Sequence, residues 1–217
     1  MVVVIPQFVD MFAQNGVELP LLTRALLAVS DFFINRWYIL AGAAAGATAG
    51  FRAWKATPAG AYMYGLIILK LPIVGKLMKQ VYAARYARTI SSMQAVGVDL
   101  PKAVSVTAKV ILNKAIEKDL LASIDALNKG EPLSRQLEKI NHFPVMINYI
   151  TKLGEASGAM EELLGQIADF YDEESDTAIS ALTAMMEPLM IIVMAGIVVP
   201  VIMAIMTPMY QMYEQLM

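Results

Sequence analysis

Residues 187–210 read EPLMIIVMAGIVVPVIMAIMTPMY. Between Pro188 and Met209 there is no charged side chain. As a helix this run extends roughly 33 Å at ~1.5 Å per residue, enough for a hydrocarbon core of ~30 Å. The stretch predicts a membrane-crossing helix over 187–210, with 211–217 as a short tail. Proline is tolerated in a first helical turn and a carboxylate favours the positive end of the helix, so Glu187-Pro188 is expected to begin it. A contact with a partner is the other reading of these two residues. Pro200 removes a backbone hydrogen bond inside the run and is expected to kink it. Membrane helices tolerate this where neighbours satisfy the freed carbonyl.

Upstream, Trp37 to Phe51 is uncharged but shorter, about 22 Å by the same rise. A crossing over 33–53 needs the preceding residues and outward-reaching Arg36 and Arg52 to complete it. Trp37, Tyr38 and Trp54 stand where interfacial aromatics are expected. Gly42, Gly46 and Gly50 repeat every fourth residue and offer a flat face for close helix packing, although glycine is common in membrane helices in any case. The whole chain is 58 % hydrophobic and 17 % charged, a balance typical of helical membrane-associated proteins.

Charge orients the two spans. Residues 52–109 hold nine Lys/Arg and one acidic residue, whereas 110–187 hold six basic and fourteen acidic ones. Positive flanks stay in the cytoplasm, so 54–186 is expected to be cytoplasmic and both chain ends to lie on the other side, with 1–32 as an extracytoplasmic connector. MVVVIPQFVDMF lacks a basic n-region and a cleavage site, and Val2 to Ile5 is too short to cross a bilayer. It reads as the tail of a missing span.

The cytoplasmic part reads as a bundle of about six helices, and the fold class is all-α. Thr57-Pro58, Asp99 with Pro101, Asn113, Pro132 and Phe143-Pro144 are start signals; Pro72 with Gly75, then Gly97 and Gly130, are breaks. No segment alternates with period two. Tyr82, Tyr86, Ile90 and Met93 share one helical face, with Arg85, Arg88 and Ser92 opposite. Met160, Leu163, Leu164, Ile167, Ala168 and Tyr171 form a second stripe, with Glu161, Asp169, Asp172 and Asp176 away from it. Gly154-Glu155-Ala156-Ser157-Gly158 reads as a tight interhelical turn in which Glu155 accepts from backbone amides or a neighbouring helix, or as a partner contact.

Several chemistries find no support. The chain has no cysteine and one histidine, His142, so neither a thiolate metal site nor a Ser/His/Asp or Cys/His set assembles from it. The Gly-rich GAAAGATAG lies in a membrane stretch and has no lysine to pair phosphates. Asp169, Asp172, Glu173 and Asp176 read as a solvated face ahead of a metal site. No cofactor, no nucleic-acid partner and no enzymatic activity are expected.

IPQFVDMF…ELPLLTRALLAVSDF, LPIVGKLMKQVYAARYARTISSMQAVGVDLPKAV, LGEASGAMEELLGQIADFYDEESD and the Glu-Pro before the last span occur in this order, and together they resemble the type II secretion F family. Its members are inner-membrane platform proteins of bacterial type II secretion systems and type IV pili. The resemblance implies two homologous helical cytoplasmic domains and three spans, of which this chain matches the C-terminal half. It also implies partners: an assembly ATPase acting in trans, pilin or pseudopilin subunits, other inner-membrane components, membrane lipids and further copies of the chain. Gly154, Glu155, Ser157, Gly158, Arg85, Arg88, Glu187 and Pro188 are the candidate partner-binding residues; Gly42, Gly46, Gly50 and Pro200 are the candidate packing residues of the spans. A membrane-anchored scaffold or sensor with an unrelated cytoplasmic partner is the alternative. A transporter is weaker, because neither uncharged stretch, 37–51 or 188–209, carries an Asp, Glu, Lys, Arg or His.

Overall fold

The computed structural model describes residues 35–215 together with 24, 28, 31 and 32, and among them every regular element is an α-helix. The expected N-terminal connector lies almost wholly outside the described residues. The helices are α1 Trp37–Ala56, α2 Pro58–Lys70, α3 Val74–Ala95, α4 Leu100–Val110, α5 Lys114–Asn128, α6 Leu133–Leu137, α7 Val145–Ser157 and α8 Met160–Gln215. They fall into two units, residues 51–183 and the remainder.

The unit 51–183 is a helical bundle whose joints follow local chemistry. Thr57 caps α2 by accepting the Gly60 N–H at 3.1 Å, with Pro58 in the first turn. Across Pro72, α2 and α3 bend by 109°. Asn113 is buried and caps α5 through Oδ1, which accepts the Ala115 and Ile116 N–H groups at 2.9 and 3.3 Å. Its Nδ2 donates to the Gly65 carbonyl of α2 at 3.2 Å, so one side chain both starts α5 and ties it to α2.

The core gathers around α3, where Tyr82, Ala83, Ala84, Tyr86, Ala87 and Ile90 are buried. Val104, Ile116, Leu120, Leu133, Ile147 and Leu164 meet it from α4, α5, α6, α7 and α8 and are wholly inaccessible to solvent. Each such side chain contributes about 1.5–3 kcal/mol relative to exposure. Both anticipated stripes lie inward, except that Leu163 is only half-buried and Met93 packs against the core from its edge.

In the other unit most apolar residues of α8 are exposed, with Ile191, Ile192 and Met194 at 54–67 %, while Ala204 is buried. Such a helix needs an apolar surrounding. One stretch among the described residues, within Met160–Ala204, is long and apolar enough to cross a membrane. Residues 37–56 form a helix of 20 residues, but α1 is not apolar enough by the same measure, and the two-span arrangement rests on the sequence reading alone.

One expectation is corrected here. Glu187-Pro188 does not begin a helix, because α8 runs without a break from Met160 to Gln215 and places both residues in its interior. A helix already propagated from a packed, well-started segment carries through a proline, at the cost of one backbone hydrogen bond. Pro200 likewise lies within the continuous helix.

Candidate functional site

The Gly154–Gly158 segment is less of a break than its two glycines suggest. Gly154 through Ser157 remain helical in α7, and only Gly158 takes the left-handed conformation, at φ 70°. That residue is the usual left-handed stop, which glycine enters without a Cβ penalty. Gly154 serves a different purpose: a Cβ built there would lie 2.9 Å from Met160 Cα, so its absence lets α7 and the start of α8 touch. Ser157 Oγ donates back to the Leu153 carbonyl at 2.8 Å on an exposed surface.

Glu155 reaches from α7 to the start of α6, a helix whose N-cap, Pro132, supplies no side-chain acceptor. Its carboxylate accepts the Leu133 N–H and, at 3.1 Å, the Ser134 N–H. Both oxygens are thereby committed inside the bundle, which makes Glu155 a cap borrowed from another helix. Beside it, Tyr86 is fully buried and its Oη has no hydrogen-bond partner among the described residues; the adjacent Thr151 hydroxyl donates to the Ile147 carbonyl at 2.7 Å. Burial pushes the Tyr86 phenol well above its ordinary value; Thr151 draws it partly back and the Glu155 charge pushes it up again.

Arg88 joins the basic and acidic halves of the sequence. Its Nη2 donates to Asp169 Oδ1 at 2.6 Å and to Asp172 Oδ2 at 2.8 Å. Asp172 and then Asp169 hold the guanidinium even more firmly protonated than usual. Ser91 Oγ donates to the Glu161 carbonyl at 2.8 Å, and Gln80 Nε2 to Glu174 Oε2 at 3.1 Å. As α3 advances from 80 to 91 its partners on α8 recede from 174 to 161, so the two segments run antiparallel. Two members of the acidic set are therefore paired with Arg88 on the bundle surface; Arg85, three residues earlier, is exposed as well.

The remaining candidates are not gathered into one place. Glu187 and Pro188 are exposed on α8, and among the described residues nothing lies within 4 Å of a Cβ built at Gly42, Gly46 or Gly50. Sequence reasoning missed the pairing of Arg88 with Asp169 and Asp172; it anticipated that Glu155 accepts from backbone amides, without saying that these belong to α6. The opposite charge of the two halves was a signal for the first, without saying which residues meet.

Residues 86–208, from the middle of α3 to near the end of α8, match the family described as Type II secretion system (T2SS), protein F. The chain belongs to that family. This F-family chain is 33 % identical over 209 residues to the type IV pilus assembly protein PilC of Thermus thermophilus, covering 96 % of the chain and 52 % of that relative. It is 33 % identical to PilC of Myxococcus xanthus over 90 % of the chain and 47 % of the relative. With the type II secretion system protein F of Pseudomonas aeruginosa it shares 32 % identity over 94 % of the chain and 51 % of the relative. The F-family chain thus spans about half the length of these relatives. The Arg88 and Ser91 bonds to α8 and the Glu155 cap fall within the matched residues, whereas Gln80 lies before them.

Proposed function

We propose that this chain is part of the inner-membrane platform of a bacterial type IV pilus or type II secretion machine. The bundle receives contact from a cytoplasmic assembly ATPase, and α8 carries it to the membrane layer where pilin or pseudopilin subunits are extracted. Catalysis belongs to the partner. The observation that carries this reading is α8 itself: one helix from Met160 to Gln215 includes both the buried stripe of Leu164, Ile167 and Tyr171 and the apolar run after Pro188. The names of the relatives support the choice of machine.

A flexible Gly-Ser-Gly-Ser insertion after Thr183 in the native gene tests the coupling. Protein level and co-purification with the ATPase are expected to persist while filament assembly or secretion is lost; unimpaired assembly would show that α8 transmits nothing. For the docking surface, exposed Arg85 is the better probe, because Glu155→Lys also removes the cap of α6. Arg85→Glu is expected to weaken ATPase co-purification, and undiminished binding removes that face from the contact.

A further inference from the structure

The last turn of α1 and the first turns of α2 and α5 enclose an open cavity of about 700 Å³ within the bundle unit. Its cations are Lys55, Lys114 and Lys118, brought from distant parts of the sequence, and no carboxylate lines it. Two of the three ammonium groups are held over aromatic faces, Lys55 Nζ at 3.9 Å from the Tyr64 centroid and Lys118 Nζ at 5.0 Å from that of Tyr62. A ring attracts a cation without neutralising its formal charge. Among the described residues, Lys114 alone of the three has a carboxylate partner, Glu117 at 2.6 Å, one turn along its own helix. Pro58 and Ala59 add the positive end of the α2 dipole to the same wall.

Three like charges line one cavity and repel one another, and among the described residues Glu117 is the one carboxylate paired with any of them. An anion relieves the repulsion. The surroundings specify its kind: next to Lys55, Phe51 and Trp54 are exposed at 50 % and 41 % and lie in ring contact at 6.1 Å. Cations beside exposed aromatics match the level where headgroups meet acyl chains.

We propose that this cavity is a phosphate-ester site that takes the headgroup of an anionic phospholipid, with Lys55, Lys118 and Lys114 on the phosphate and Phe51 and Trp54 against the chains. The phosphate chemistry stands on the cavity; the choice of a lipid source rests on the membrane reading above. The test uses the full chain purified in detergent, so its outcome does not depend on any role in pilus assembly or secretion.

The chain is titrated with short-chain phosphatidylglycerol, short-chain phosphatidylcholine and inorganic phosphate. Bound lipid is read by native mass spectrometry, and the reactivity of each lysine by amine acylation. Phosphatidylglycerol is expected to bind roughly tenfold more tightly than phosphatidylcholine. It should shield Lys55, Lys114 and Lys118 while leaving Lys102 and Lys109 reactive. The triple Lys→Gln variant should lose the preference and the triple Lys→Arg variant keep it. Shielding by inorganic phosphate with no preference between the lipids would overturn the lipid in favour of a soluble phosphate compound. Equal reactivity of all five lysines under every titrant would overturn the site. If the Gln variant fails to fold, the shielding pattern of the unaltered chain decides.

Discussion

Residues 160–183 and residues 184–215 of α8 belong to one helix but meet opposite surroundings. The first segment buries Leu164, Ala168 and Tyr171 and turns its carboxylates outward, toward Arg88 or solvent. The second exposes most of its apolar side chains, and its Thr207 hydroxyl is satisfied internally by donating to the Met203 carbonyl at 2.7 Å. Helical hydrogen bonding is common to both, so the difference teaches that the surroundings of a helix are set by its side-chain pattern, whereas its continuity is set by the backbone. An amphipathic pattern selects a protein neighbour, and an apolar one selects lipid.

The largest expected effect lies in the buried segment. Leu164→Ala is expected to destabilise the bundle by about 2–5 kcal/mol, whereas Ile192→Ala in the exposed segment should leave bundle unfolding nearly unchanged. Denaturation followed by tyrosine fluorescence in detergent compares them, and equal losses would erase the distinction between the segments. Next comes the turn that delivers the chain into α8. Glu155→Gln weakens two charge-assisted bonds to the start of α6 and is expected to cost about 1–3 kcal/mol. Faster hydrogen exchange at the Leu133 and Ser134 amides would locate the loss; unchanged exchange there would mean that the cap is dispensable.

Arg88→Ala sharpens the comparison in the opposite direction. Its partners are largely exposed, so the variant is expected to lose only about 0.2–1 kcal/mol, and less at high salt. A loss as large as that of Leu164→Ala would show that charge, ahead of packing, holds the first segment of α8. The smallest effect belongs to Tyr86→Phe, since its hydroxyl is buried without a partner and removing it is expected to be neutral or mildly stabilising. The unfolded phenol titrates near pH ~10 and the folded one higher. The contribution of Tyr86 is therefore complete below pH ~10 and is lost as pH rises toward the folded value. Tyr86→Phe should flatten that alkaline decline in stability, and an unchanged alkaline limb would assign it to other groups.

Much of the helical plan was legible because it is written locally. Thr57, Asn113 and Pro144 mark helix starts through their own side chains or rings, and Gly158 marks a stop through its freedom at positive φ. The faces around Tyr86 and Leu164 were legible because helical periodicity sorts buried from exposed residues. Glu187-Pro188 misled for a related reason: a legitimate helix-start signal has no effect where a helix is already under way.

By itself the sequence determined an all-helical chain with an apolar run long enough to cross a bilayer and a charged bundle before it, because these depend on residues within a few turns of each other. Only the tertiary structure decided which carboxylates receive Arg88, that Glu155 caps a helix beginning more than twenty residues earlier, that Gly154 is a point of contact with α8, and that Lys55 shares a cavity with Lys114 and Lys118. Each of these joins residues far apart in the chain, and a hydrogen bond or an ion pair is governed by separation in space, which helical periodicity leaves undetermined.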